Sequence, residues 1–243
     1  MIPLYELTKT ELNNLILEAS NKYGSEIDGT ILCKSLAVIY ESLKKHNRIF
    51  AIRTDLRFAQ DHVQDEPDLP LCFQRVDEKA ITRFIESLKS QLRVDHKRSG
   101  RAGDPTLPAY IWAKERKESE HYHYHVVLLF NGEAYRYLGD YTNSDANNMA
   151  IRIQKAWCSA LELEFPCYAT LAEFHENHSF RFDRHDAQNR NYNYLYFLSR
   201  IAYLAKVNTK EFNTGYRNFG TSQVWLRAIS SDLSWQALLV EHN

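Results

Sequence analysis

The 243-residue sequence has few cysteines, little glycine or proline, almost no net charge and no long apolar run. Each shortage excludes something. The four cysteines, Cys33, Cys72, Cys158 and Cys167, lie far apart with no CxxC pair. That excludes a zinc ribbon and a redox dithiol, and it points to buried or idle thiols in a reducing cytoplasm. Eight Gly and six Pro exclude collagen-like and low-complexity organisation. No window approaches the roughly 18 apolar residues that a membrane span needs. The opening MIPLYELTKTEL lacks the basic stretch and apolar run of a signal peptide. The expectation is a cytoplasmic protein with no membrane partner. Finally, 30 Lys+Arg stand against 31 Asp+Glu, a net charge of −1, so the overall electrostatic footprint of a nucleic-acid binder is missing.

What is present fits a folded chain. With 44% hydrophobic and 25% charged residues it can bury a large core, and its length suits one elaborated domain. The charge cancels only in sum. Acids cluster at 61–68 and bases at 89–101, with Lys44, Lys45, Arg48, Arg53 and Arg57 adding to the latter. This distribution predicts a basic groove beside a functional strand, with acidic surface elsewhere.

Thr8 and Glu11 have capping-box spacing, followed by Leu12, Leu15, Ile16 and Ala19 at helical spacing and by Gly24 as a stop. A second helix follows with Leu32, Leu36, Ile39, Tyr40 and Leu43 inward. From residue 48 the period changes. Ile49–Ile52 reads as a buried strand ending in Arg53-Thr54-Asp55-Leu56-Arg57, and 61–71 as a loop. Asp77 caps a third helix, which bears Ile81, Phe84, Ile85, Leu88 and Leu92. Ala109–Arg116 and His121–Phe130 read as a β-hairpin. Ser144 or Asp145 caps a fourth helix, Ser179–Asp183 is a strand, and a long helix runs from about Asn189 to Val207. The order from residue 48 is βαββαβ and then a helix, which predicts an α+β, ferredoxin-like core with helices on one face of an antiparallel sheet.

Two segments carry chemistry. Along Glu120-His121-Tyr122-His123-Tyr124-His125-Val126-Val127-Leu128-Leu129-Phe130, strand alternation puts His121, His123, His125, Val127 and Leu129 on one face. Imidazoles two residues apart are separated by roughly 6.5–7 Å at Cα, and their nitrogens can converge on one divalent ion. Two histidines do not complete a coordination sphere. The hairpin returns Glu115 beside Tyr122–His123 as the best third ligand, with His121 as the alternative. In the second segment, Tyr192, Tyr196, Ser199, Tyr203 and Lys206 share one face of the last helix. A phenol with a pKa near 10 is a poor nucleophile at neutral pH. A neighbouring lysine favours the phenolate, and a metal can hold and polarise a phosphodiester. Together these form a transesterification centre.

These words resemble the HUH endonuclease superfamily, with His123-Tyr124-His125 as the histidine motif and Tyr203-Leu204-Ala205-Lys206 as the tyrosine motif. HYHVVLLFN and YLAKVNTK, with RTDLRF early and NFGTS late, look like the inovirus gene-2-product-like family of rolling-circle replication initiators of phage and prophage. The resemblance covers roughly 48–222. It implies a ferredoxin-like nicking domain, Mg²⁺ or Mn²⁺ as cofactor, a single-stranded or hairpin DNA origin as substrate, and a host helicase as a further partner. It also implies that His123 and His125 bind metal, that Tyr203 is the nucleophile and that Lys206 assists. Arg53, Asp55 and Arg57 would contact DNA or support the fold beside the site. Lys97, Arg98 and Arg101 join them as DNA-binding candidates in the basic run. Tyr196, two turns before Tyr203, leaves a two-tyrosine mechanism open. By this reading 1–47 is a helical extension, 48–222 the nicking domain and 223–243 a packed tail. Competing readings are a DNA-binding regulator that keeps the fold, an HUH-type transposase, and a cupin-like oxygenase. The last wants a carboxylate where Leu128 and Leu129 stand.

Overall fold

A computed structural model describes residues 4–59, 62–63, 66–70, 74–116, 121–208, 210 and 217–223. Two N-terminal helices come first, α1 (Lys9–Tyr23) and α2 (Gly29–Lys45). The Thr8–Glu11 capping box forms, and Gly24 closes α1 in the left-handed conformation at φ 58°. Next come β1 (Arg48–Leu56), a small hairpin of β2 (His62–Val63) and β3 (Glu66–Pro70), and α3 (Ala80–Arg98). Then follow β4 (Ala109–Glu115), β5 (His123–Asn131), α4 (Met149–Leu161), β6 (Ala172–Glu173) and β7 (Ser179–Asp183). α5 (Arg184–Gln188), α6 (Tyr192–Tyr203) and β8 (Phe219–Thr221) complete the described elements.

The fold is α+β with a six-stranded antiparallel sheet. β5 lies between β1 and β4, β8 borders β4, and β6 and β7 pair with successive parts of the other edge of β1. Taking β1, β4, β5 and β7 as the four strands of the βαββαβ series, their order across the sheet is fourth, first, third, second, all antiparallel. That is the arrangement of a split βαβ pair.

Helices cover both faces, whereas the sequence predicted cover on one. The face of Phe50, Ile52, Tyr124, Val126, Leu128 and Phe130 packs against α3 and α4, with Trp157 and Phe84 fully buried between them. The opposite face, with Ile49, Ala51, Val127 and Leu129, packs against α2 and α6 through Leu36, Phe197 and Ile201, and α1 joins the same apolar cluster through Leu12 by packing on α6. The N-terminal helices therefore share one apolar layer with the sheet. Among the described residues, 4–47 contribute to that layer and to no separate core, and 224–243, nearly all of the expected tail, lies outside the described residues.

Local departures have identifiable causes. β1 continues through Leu56, because Asp55 and Leu56 still pair with His125 and Tyr124. Part of the expected 61–71 loop pairs as the β2–β3 hairpin. α4 is capped by Asn148, whose side chain accepts from Ile151 N, and not by Ser144 or Asp145. The expected 189–207 helix starts later and ends earlier. Arg190 at φ 53° separates α5 from α6, and α6 stops at Tyr203. Beyond it the backbone joins the α1–α2 connection. Asp28 N donates to Ala205 O at 2.8 Å, Val207 N donates to Glu26 O at 3.0 Å, and Ile27 and Lys206 form an isolated bridge.

Candidate functional site

The site forms where the β1–β5–β4 register brings polar residues to the end of an otherwise apolar sheet face. Asp55 lies opposite His125, and Glu115 opposite His123. All four are buried. Asp55 Oδ1 accepts from His125 Nδ1 at 2.6 Å, which turns Nε2 of that ring away from it. His125 Nε2 lies 3.2 Å from Glu115 Oε2 and 3.3 Å from His123 Nε2. Ligand atoms of Glu115, His123 and His125 all fall within 4.8 Å of one another. Donors each about 2.1 Å from one ion, at octahedral or tetrahedral angles, stand about 3.0–3.4 Å apart. The three residues therefore fit a divalent cation, and they include the carboxylate that the hairpin register selected.

The electrostatics follow from burial. Burial pushes the Asp55 carboxyl up, but the hydrogen bond from His125 and the charges of His125, Arg53 and His175 outweigh it, so the group lies well below its usual range. Burial raises Glu115 in the same way, and His125, Lys206 and Lys210 overcome it, bringing the carboxyl to about 2. Burial and the neighbouring His125 charge lower His123 to about 4. His125 moves up, because Asp55 and Glu115 together exceed its burial cost. A proton on His125 and a divalent cation would compete for the same group of donors.

Tyr203 completes the site from above. It is half-buried at the end of α6, and its ring meets His125 edge-on at 5.3 Å between centroids. Three cations surround it: Lys206 Nζ at 3.8 Å from the ring centroid, Arg53 at 5.0 Å and Arg200 at 5.8 Å. Lys206 lies beyond the end of α6, so the strand-like bridge to Ile27 places it there, not helical periodicity. It reaches Glu115 Oε2 at 3.8 Å, and Lys210 reaches Glu115 Oε1 at 3.7 Å. Tyr23 holds the same helix end, donating to Ser199 O at 2.9 Å and meeting Tyr203 edge-on at 5.1 Å.

A cavity of about 360 Å³ opens among these groups, lined by Arg53, Asp55, Arg57, His123, His125 and Tyr203, and also by His175 and Arg200. Sequence reasoning missed the last two. His175 sits after β6, its Nε2 2.9 Å from Asp55 Oδ2 and its Nδ1 3.2 Å from Glu173 Oε1. Arg200 lies one helical turn before Tyr203, and that i, i+3 spacing was the available signal.

Other predicted site residues lie elsewhere. His121 precedes β5 and packs against Phe58 at 5.7 Å, outside the three-residue ligand group. Tyr196 stacks on Tyr192 at 6.1 Å and does not line the cavity. Seven residues of helix put it about 10 Å along the axis from Tyr203. Lys97, Arg98 and Arg101 sit at the C-terminal end of α3 and beyond it, where Arg101 pairs with Asp95 at 3.2 Å. None of the three lines the cavity. The positive charge at the site instead comes from Arg53, Arg57, Arg200, Lys206 and Lys210. Among the described cysteines, Cys33, Cys158 and Cys167 are free, and no described helix is long and apolar enough to cross a membrane.

The chain is 39% identical to "Uncharacterized protein YagK" of Escherichia coli (strain K12) over 185 residues, covering 75% of this chain and 86% of YagK. It is 34% identical to "Uncharacterized protein YfjJ" of the same strain over 191 residues, covering 76% of this chain and 90% of YfjJ. No solved structure matches it. The match to the YagK/YfjJ C-terminal domain runs over residues 8–222, from the cap of α1 to just beyond β8. The chain belongs to the YagK/YfjJ C-terminal domain family.

Proposed function

We propose that the protein is a metal-dependent single-stranded DNA endonuclease and strand transferase of the HUH type, starting rolling-circle replication of a phage or prophage element in the cytoplasm. The observation that carries the reading is the buried Glu115–His123–His125 group with the Tyr203 ring edge-on to His125 at 5.3 Å. Glu115, His123 and His125 would hold Mg²⁺ or Mn²⁺, which when bound supplies charge neutralisation at a phosphodiester. Asp55 fixes the His125 ring so that Nε2 faces the ligand group. Tyr203 Oη attacks phosphorus, the bond from phosphorus to the 3′-oxygen breaks, and that oxygen takes up a proton. The 5′-phosphate is left esterified to Tyr203. Lys206, Arg53 and Arg200 supply positive charge around the phenol as it loses its proton. With Tyr196 away from the cavity, one tyrosine serves as nucleophile in this reading.

The test is incubation of the protein with a pool of single-stranded oligonucleotides and Mn²⁺, read as a denaturant-resistant protein–DNA adduct. Wild type and Tyr196→Phe form it; Tyr203→Phe and His125→Ala fall below detection. An adduct that survives Tyr203→Phe removes the assigned nucleophile. DNA binding by wild type with no adduct leaves the regulator reading in its place.

A further inference from the structure

The cavity beside Tyr203 holds guanidinium groups that its carboxylates do not satisfy. Arg53 projects from β1 with a side chain only 8% exposed, yet its Nε and Nη1 have no hydrogen-bond partner among the described residues. Its Nη2 stands 3.8 Å from Asp55 Oδ1, beyond hydrogen-bond reach. That oxygen already accepts from His125 at 2.6 Å, and Asp55 Oδ2 lies 2.9 Å from His175. Arg200 repeats the pattern from α6: its Nε is buried and has no partner among the described residues. A nearby cation that is answered shows the contrast. Arg57 Nε donates to Glu173 Oε2 at 2.6 Å.

Buried N–H groups on a charged side chain are costly unless an acceptor meets them. Arg53 and Arg200 lie on different elements, flank one tyrosine ring and line the same cavity. A planar carboxylate can match one guanidinium fork. A phosphate presents oxygens in tetrahedral directions and can serve two forks at once. We propose that Arg53 and Arg200 form an anion clamp that takes one phosphate group and holds it beside Tyr203. The clamp deepens the transesterase reading, on which it rests for taking that phosphate to be part of a single strand. Free phosphate shares the chemistry, so the experiment separates the two sources.

The full chain, kept metal-free with a chelator at constant ionic strength, is titrated in separate arms with inorganic phosphate and with an eight-nucleotide single strand. Wild type is expected to bind phosphate with a Kd on the order of 1 mM or tighter. Arg200→Gln, a change on a partly exposed helix position, weakens that binding at least tenfold. Arg200→Lys, which keeps the charge and loses the fork, recovers part of it. Arg53→Gln is read alongside a thermal melt, so that misfolding is distinguished from lost binding. Lys34→Gln, an exposed position on α2, controls for overall charge and changes nothing. Weakening in both arms assigns the clamp to the strand, and weakening in the phosphate arm alone assigns it to free phosphate. Phosphate binding that is undetectable in wild type, or unchanged in Arg200→Gln, overturns the clamp. No covalent adduct is read here, so a failure of the nickase reading leaves this result standing, and the reverse also holds.

Discussion

At the scale of single residues, Asp55 organises the ligand group without belonging to it. It receives His125 on one oxygen and His175 on the other, and so sets which imidazole nitrogen faces Glu115. Asp55→Asn should lower Mn²⁺ affinity by about 10–100-fold while the protein stays folded, as calorimetry against wild type would show. Mn²⁺ affinity should also rise from pH 5 to pH 8. His125 is raised by Asp55 and Glu115, and its proton competes with the cation at the acid end. A second titration lies away from the site. The hydrogen bond from Arg190 is the main cause holding Glu11 at about 2, with the Arg190 Nε to Glu11 Oε1 distance 2.8 Å. Because the folded value is depressed, the contribution is present above the unfolded carboxylate value of about 4.3 and is lost as pH falls toward 2. Acid melts of Glu11→Gln should converge with wild type near pH 2 and differ at pH 6. His123, His125, Glu115 and Tyr203 were legible in the sequence, because strand alternation, hairpin register and a lysine near a tyrosine are local patterns. His175 was not, since it sits in a loop after a two-residue strand, and Arg200 offered only its i, i+3 spacing to Tyr203, which many helical arginines share with a neighbour.

At the scale of elements, the sequence carried a sign of the second helical layer that the face count missed. β5 is apolar on both faces from Val126 onward, as a strand covered on both sides must be. α2 and α6 supply that cover with α1 packed on α6, although in sequence α1 and α2 precede the βαββαβ series and read as an extension. The end of α6 was illegible for a different reason. Helical periodicity continues through Ala205 and Lys206, and the termination is imposed by backbone bonds to Glu26 and Asp28. β8 is held by a close approach: a Cβ on Gly220 would meet the Trp112 ring at 2.6 Å. Gly220→Val should therefore strip β8 from the edge of β4, raising amide exchange over 219–221 with little change in β1 or β5. Truncating Trp157, which is fully buried and donates to Arg57 O at 2.6 Å, removes the packing between α4, α3 and the sheet. Trp157→Ala should cost about 3–5 kcal/mol in denaturant unfolding.

At the scale of the whole molecule, a near-zero net charge is compatible with a site that gathers several cations. Arg53, Arg57 and Arg200 line one cavity, with Lys206 and Lys210 buried behind it. Under the single-strand reading, Arg53 and Arg200 share one phosphate and the neighbouring cations meet one or two more. The logarithm of the binding constant should then fall against the logarithm of salt with a slope of about −1.5 to −2. A slope near −6 or steeper would place most contacts outside the cavity, on surfaces such as the end of α3.

The junction between the α1–α2 connection and the segment after α6 also sets when the centre can exist. Asn208 N donates to Ser25 Oγ across 183 residues of chain, and Tyr23 reaches Ser199 across 176. Contacts so distant in sequence carry a larger loop-closure cost than the local hairpins and helices. During synthesis the ligand group on β4 and β5 emerges well before Tyr203. Tyr203 is seated only when the last quarter of the described chain folds back onto the first. A nascent chain that has not yet reached the segment after α6 therefore carries the histidines without a positioned Tyr203.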